Sequence, residues 1–253
     1  MTPDDAKVND AEIQEAPPTN DAPMRDPERR SAVRRLWRAE TAFFVVLAGF
    51  GVLAVFAYFD PYFDWDYRIS SVFNWKTYTP PGLFPFMRFV SLFGNKLIPW
   101  ALTIITVILF FVFSKRSEAA GLALSAGGGA LINSLLKMLI GRPRPTAELI
   151  PIYKDLRTES FPSGHVNFYV CFFGFLFFAA FALLPRGSLV RRVVLVLTAL
   201  PIALVGLSRI YLGAHWPSDT LGAYLLSGLW LALSLHLYRR WKQKATFHPE
   251  EKV

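Results

Sequence analysis

Three short stretches of this sequence carry polar side chains that an apolar surrounding does not explain. The first is Lys137-Met-Leu-Ile-Gly-Arg-Pro-Arg144-Pro145, and the second is Phe161-Pro162-Ser163-Gly164-His165. The third runs Ser208-Arg209-Ile-Tyr-Leu-Gly-Ala-His215-Trp-Pro-Ser-Asp219. Lys137, Arg144 and Arg209 are three cations that call for an anion. A guanidinium offers a planar fork matched to phosphate oxygens, and an ammonium adds a compact point charge. Ser163 and Gly164 stand at the start of an apolar helical run, where unpaired backbone N–H groups and the positive end of the helix dipole hold a further oxygen. Glycine there lets a ligand approach the backbone.

His165 and His215 supply two imidazoles, the number needed for one nucleophile and one general acid. Asp219 lies four residues beyond His215. A carboxylate accepting from one ring N–H would fix the tautomer and leave the other nitrogen free to attack. Together these residues read as a phosphoryl-transfer site built from cations, hydrogen-bond donors and a His–Asp pair. His236 and His248 have no such company and read as interfacial or tail residues. Cys171, the one cysteine, lies in an apolar run and reads as a small core or lipid-facing side chain.

The elements that must position these clusters follow from composition. Of 253 residues, 53% are hydrophobic and 18% charged, and the mean hydropathy is +0.33. A soluble domain averages about 45–50% apolar and about 25% charged. Six apolar stretches, Thr41–Phe59, Leu97–Phe113, Ala119–Ile140, Val166–Leu184, Val193–Leu207 and Leu221–Tyr238, hold Lys137 as their one formal charge. Runs of this kind match the ~30 Å hydrocarbon core of a bilayer. The expected fold is therefore all-α, a polytopic membrane protein with six transmembrane helices. Residues 1–38 are expected to form a disordered N-terminal segment, acidic and then basic, and not a signal peptide. Residues 39–240 form the membrane domain, and 241–253 a tail.

The net charge of +8 is explained by orientation. Placing the N-terminus inside puts Arg25–Arg38, Lys115–Arg116, Arg186–Arg192 and Arg239–Lys244 on the cytoplasmic side, with 15 of the 27 basic residues. The positive-inside rule then favours both termini in the cytoplasm, in a cell (inner) membrane, with no nucleic-acid partner implied. Counting spans from there sends all three polar clusters to the outer face. The outer segment from Asp60 to Lys96 is rich in aromatic residues broken by Pro80-Pro81 and Pro85. It reads as interfacial anchoring or as a roof over an entrance for lipid. On the third span, Gly121, Ser125, Gly129, Asn133 and Lys137 recur every four residues, a stripe expected to face the bundle interior.

Lys-x6-Arg-Pro, Pro-Ser-Gly-His and Ser-Arg-x5-His-x3-Asp occur here in order and complete. This three-part set resembles the signature of the type 2 phosphatidic acid phosphatase family. The resemblance spans Lys137–Asp219 for the motifs and about Thr41–Tyr238 for the spans. It implies hydrolysis without a metal or other cofactor, in which His215 attacks phosphorus, Asp219 orients it, and His165 protonates the leaving oxygen and then activates water. Lys137, Arg144, Arg209, Ser163 and the Gly164 N–H would hold the phosphoryl oxygens. The implied substrate is a lipid phosphate or diphosphate. An undecaprenyl-diphosphate phosphatase, or a lipid A phosphatase or phosphotransferase, would use the same site. Soluble vanadium haloperoxidases have a similar anion pocket but not six spans. A transporter would place its charges near the bilayer midplane rather than at one face. Arg142-Pro143, beside the signature arginine, has no role assigned by the motifs.

Overall fold

The computed structural model describes residues 26–247. The acidic segment 1–23, Arg25 and His248 lie outside the described residues. Two compact units divide the chain, residues 1–42 and residues 43–253. In the first, the described part is helical, and the Thr41 hydroxyl donates to the Trp37 carbonyl four residues earlier at 2.7 Å.

All regular structure among the described residues is helical. Its order is α1 (Asp26–Phe59), α2 (Asp64–Val72), α3 (Leu83–Ser91), a 3₁₀ turn (Leu92–Gly94), α4 (Ile98–Val112), α5 (Arg116–Leu122), a π turn (Ala123–Gly128), α6 (Gly129–Ile140), α7 (Gly164–Leu183), α8 (Leu189–Tyr211) and α9 (Pro217–Phe247). Five stretches are long and apolar enough to cross a membrane: Glu40–Phe59, Arg116–Ile140, Gly164–Leu183, Leu189–Tyr211 and Pro217–Gln243. The expected second span is different. Ile98–Val112 has only 15 residues, and reaches spanning length only together with Leu83–Gly94, from which it is bent by 57°. The bend falls where Asn95 is extended and Lys96 adopts a left-handed backbone (φ 49°), and Pro99 then opens α4 in its first turn. The described residues thus hold five helices long and apolar enough to cross a membrane, or six if the bent pair counts as one.

Large apolar side chains such as Val52, Ile104, Leu131 and Leu197 lie exposed around the helices. Water would penalise so much exposed apolar surface, whereas lipid tails do not. The buried core is centred on α7, where Val166, Tyr169, Phe172 and Phe175 pack with Leu122, Val205, Ala223 and Tyr238.

The four-residue stripe does face this interior: Gly121, Ser125, Gly129 and Asn133 are buried and Lys137 is half-buried. On a regular α-helix a four-residue repeat drifts by about 40° per step. The π turn over Ala123–Gly128 widens the helix at that point and keeps the stripe on one side. The small residues admit α7: the Ser125 hydroxyl donates to the Cys171 carbonyl at 2.8 Å, and a Cβ on Gly129 would stand 2.6 Å from Cys171 Sγ. Cys171 is accordingly a core residue.

α6 ends on Gly141, in the left-handed conformation that closes helices (φ 64°), which turns the chain into the Arg142–Pro145 stretch. The C-terminus of α6, the N-terminus of α7, the C-terminus of α8 and the N-terminus of α9 all meet at one end of the bundle. The opposite end carries a different group, Glu118 with Lys242 and Tyr238.

Candidate active site

His215 lies in the short connection between α8 and α9, and Asp219 lies in the first turn of α9, where the helix dipole favours a carboxylate. Both side chains are buried. Arg144 reaches across from the α6–α7 connection. Its Nη1 stands 3.0 Å from His215 Nε2 and donates to the Ala214 carbonyl at 2.6 Å, while Nε donates to the Thr158 carbonyl at 2.7 Å. A guanidinium can only donate. The contact therefore requires an unprotonated Nε2, which leaves the ring proton on Nδ1. Burial and the nearby Arg144, Lys137 and Arg209 push the His215 pKa well below the ordinary histidine value, so the ring is held neutral.

On the Nδ1 side the geometry departs from a simple His–Asp pair. Asp219 Oδ2 is 3.5 Å from Nδ1, and Ser160 Oγ is 3.4 Å from it. The Ser160 hydroxyl also donates to Asp219 Oδ2 over a very short contact, and the Trp216 N–H donates to the same oxygen at 2.8 Å. Because Asp219 also closes the start of its own helix, its oxygen is shared among three neighbours. Ser160 bridges the pair.

Ser163 caps α7, and its hydroxyl is buried without a partner. Arg209, in the last turn of α8, is buried; its Nη1 donates to Ser91 Oγ at 2.6 Å while its Nε has no partner. Two buried polar atoms without partners, one on each wall, are costly unless a ligand completes them. Gly164 sits beside them in ordinary contact distance of Asn133 Oδ1 and Lys137 Cε, so a Cβ there would meet no hard clash. Lys137 Nζ donates to the carbonyls of Glu159 at 2.6 Å and Ser160 at 3.2 Å, which ties the end of α6 to the strip that carries Ser160. His165 opens α7, with Nε2 3.1 Å from Asn95 Oδ1. It lines a cavity of about 730 Å³ together with Arg144 and Arg209, and a second cavity of about 230 Å³ between α4, α6 and α7.

All eight residues singled out in the motifs therefore gather at one end of the bundle. Four others escape the motifs. Ser160 is one. Asn95, held by the bend before α4, is another. Arg142 is buried and donates to Asp219 Oδ1 at 2.7 Å, Ser218 Oγ at 2.6 Å and Asp66 Oδ2 at 3.0 Å. Asp66, on α2, also accepts from the Ser218 N–H at 2.8 Å. The signal for Arg142 was its place beside the signature arginine; Asp66 was one of three aspartates, with Asp60 and Asp64, among the same aromatics, with nothing to mark it.

The aromatic segment folds over this end of the bundle. The Ser208 hydroxyl donates to the Met87 carbonyl at 2.6 Å, and the Tyr169 hydroxyl donates to the Val90 carbonyl. Phe73 packs on Tyr211 and Tyr62 on Trp216. The segment thus covers the ends of α7, α8 and α9, while Tyr67, Phe86 and Phe89 stay exposed. Among the described residues, no group of three or more His, Cys, Asp or Glu side chains is arranged to hold a metal ion.

The comparison with known proteins agrees with this layout. The PAP2 superfamily matches residues 118–243. The chain is 32% identical over 116 residues to phosphatidylglycerophosphatase B of Bacillus subtilis, covering 46% of this chain and 56% of that protein. It thus spans less than two thirds of that relative. It is also 32% identical over 147 residues to decaprenylphosphoryl-5-phosphoribose phosphatase of Mycobacterium tuberculosis, covering 55% of this chain and 71% of that protein. The crystal structure of a transmembrane PAP2-type phosphatidylglycerolphosphate phosphatase from Bacillus subtilis superposes with a TM-score of 0.67 at 25% identity, over 78% of this chain and 96% of that one. The chain belongs to the PAP2 superfamily.

Proposed function

We propose that this protein hydrolyses a lipid phosphate at the outer face of the cell membrane, through a phosphohistidine and without a metal ion. The observation that carries the reading is the placing of His215: its Nε2 stands 3.0 Å from Arg144 Nη1, a donor-only group that requires an unprotonated nitrogen, and burial with the nearby cations holds the ring pKa well below the ordinary value. In the first step Nε2 attacks phosphorus, the N–P bond forms, and the bond to the lipid oxygen breaks. His165 gives that oxygen its proton. In the second step His165 takes a proton from water, whose oxygen attacks phosphorus and releases inorganic phosphate and free His215. Arg144, Arg209, Lys137, the Ser163 hydroxyl and the Gly164 N–H hold the phosphoryl oxygens. The unpaired Ser163 and Arg209 atoms support this assignment. Ser160 and Asp219 keep the proton on Nδ1. Fixed cations and helix N–H groups aimed at developing charge provide most of the catalysis in phosphoryl transfer.

The membrane domain of residues 39–240 is read as six spans, with α3 and α4 together forming the second. Both termini then lie in the cytoplasm, and the excess of Lys and Arg in the flanks supports that orientation. The names of the relatives favour a phosphorylated lipid as substrate.

The decisive test is phosphate release by purified protein from phosphatidate, phosphatidylglycerophosphate, undecaprenyl diphosphate and lipid A. Activity with at least one substrate, surviving EDTA and blocked by vanadate, is expected. His215→Ala should lower it by at least about 10⁴-fold, the scale for loss of a catalytic nucleophile. Full activity in that variant would sink the mechanism. A reporter fused after Lys244 should score as cytoplasmic; an exported signal would invert the topology.

A further inference from the structure

The cavity above His165 is larger and more basic than one phosphoryl group needs. Besides Arg144 and Arg209 it is lined by Arg88, Lys96 and Lys154, and no aspartate or glutamate lines it. These three cations come from three separate segments. Arg88 lies in the last turn of α3, where the helix dipole favours a cation. Its guanidinium is held between two rings, 5.6 Å from the centre of Phe84 and 5.0 Å from that of Tyr153, with those rings edge to face at 5.3 Å. Stacking of this kind fixes a guanidinium while leaving its N–H edges free to donate.

Lys96 stands at the bend before α4, next to Asn95, the partner of His165. Lys154 follows Tyr153, whose N–H donates to the Leu212 carbonyl at 3.0 Å and so ties this loop to the end of α8. Asp155 and Glu159 belong to the same loop but do not line the cavity, and the charge of Glu159 acts on Lys137 and Arg144.

Five cations around one cavity repel one another. A single phosphate, carrying about −2 at most, is already matched by Arg144, Arg209 and Lys137. Arg88, Lys96 and Lys154 are left over. We propose that they form a second anion subsite, and that the preferred substrate is a lipid whose head group carries a second phosphate beside the one removed. This rests on the reading of the site as a lipid phosphatase and narrows it. The second phosphate would sit toward α3 and the 151–154 loop, with the scissile one at His215.

The test uses the full chain in neutral detergent with a matched pair, farnesyl phosphate and farnesyl diphosphate. These probes differ only in the second phosphate. The wild type is expected to favour the diphosphate in kcat/KM. In Arg88→Gln and Lys154→Gln the diphosphate-to-monophosphate ratio should fall by at least about tenfold, the size of one lost charge-assisted contact. Arg88→Lys should recover part of that loss. Equal losses on both probes would overturn the subsite, as would a loss that appears only when anionic phospholipid is added, which would make these residues contacts to bilayer head groups.

A binding measurement separates this proposal from the catalytic one. Pyrophosphate should raise the melting temperature of His215→Ala more than phosphate does, and Arg88→Gln should remove the difference. If that holds while no lipid is hydrolysed, the catalytic reading fails and the anion subsite stands. If the wild type cleaves monophosphates and the variants keep its ratio, the subsite fails and the catalytic reading stands.

Discussion

Arg142 Nη1 donates to Asp219 Oδ1 at 2.7 Å, and neither side chain is exposed to any measurable degree. The same guanidinium reaches Asp66 on α2 and lies 4.7 Å from the ring of Phe63. One arginine therefore fastens the aromatic segment to the carboxylate that stands 3.5 Å from His215 Nδ1. Buried charges of this kind contribute little net stability as a set, but removing one member is severe because the others stay buried and uncompensated.

Arg142→Gln is expected to destabilise the protein by about 3–5 kcal/mol, measured by thermal or chemical unfolding in detergent. Arg142→Lys keeps the charge but not the fork, and should recover only part of the loss. In any Arg142→Gln protein that folds, Asp219 loses its other counter-charge and draws more strongly on His215. The acid limb of the kcat/KM profile should then move to higher pH. A drop in stability with an unmoved limb would reduce Arg142 to a purely structural role.

The depressed His215 pKa has its own consequence. A histidine whose folded pKa lies below the ordinary value of 6.5 stays neutral as pH falls past 6.5, so the nucleophile remains available there. Activity should persist on the acidic side of 6.5 and fall only as Nε2 takes up a proton. Removing a neighbouring cation favours that proton, so Arg144→Gln should move the acid limb upward, toward 6.5. Histidine NMR of the purified protein measures the same shift without turnover. A limb that stays put or moves down contradicts the proposed electrostatics.

Ser160 offers a sharper test of the Nδ1 side. If its hydroxyl holds the ring proton in place together with Asp219, Ser160→Ala should lower kcat roughly three- to tenfold, the range for one hydrogen bond, with little change in KM. Ser160→Thr keeps the hydroxyl and should recover activity where its methyl group fits. A change confined to KM would place Ser160 in binding instead.

Gly213 carries the turn that presents His215. Its backbone is left-handed (φ 65°), and a Cβ there would stand 2.4 Å from the Pro151 carbonyl oxygen. Gly213→Ala should destabilise the protein by about 1–3 kcal/mol and lower kcat, because the loop must shift away from the 151–154 segment. Gly164→Ala, which meets only ordinary contacts, should unfold at nearly the wild-type temperature.

The amino-acid sequence alone determined that the chain is helical, apolar and multi-pass, and it named His215, His165, Asp219, Lys137, Arg144, Arg209, Ser163 and Gly164. Those residues were legible because chemistry requires particular side chains at particular spacings along one strand of chain. The buried four-residue stripe was legible for the same reason, since helical periodicity is a local property. The second span was not. Whether an apolar run of 15 residues crosses alone or joins a bent partner depends on the backbone at Asn95–Leu97.

Only the tertiary structure decided that Arg142 holds Asp219 to Asp66, that Ser160 stands between Asp219 and His215, and that Asn95 meets His165. Each partner is dozens of residues away in sequence, and no periodicity or spacing records which polar groups will share a buried pocket. For Arg142, Asp66, Asp219, Ser160 and His215 burial itself makes those pairings, because a polar group taken out of water must find whichever partner the fold brings within reach. The sequence could list the charges of the site. Which of them neutralise each other was settled by the packing of α2 and α9 around Arg142.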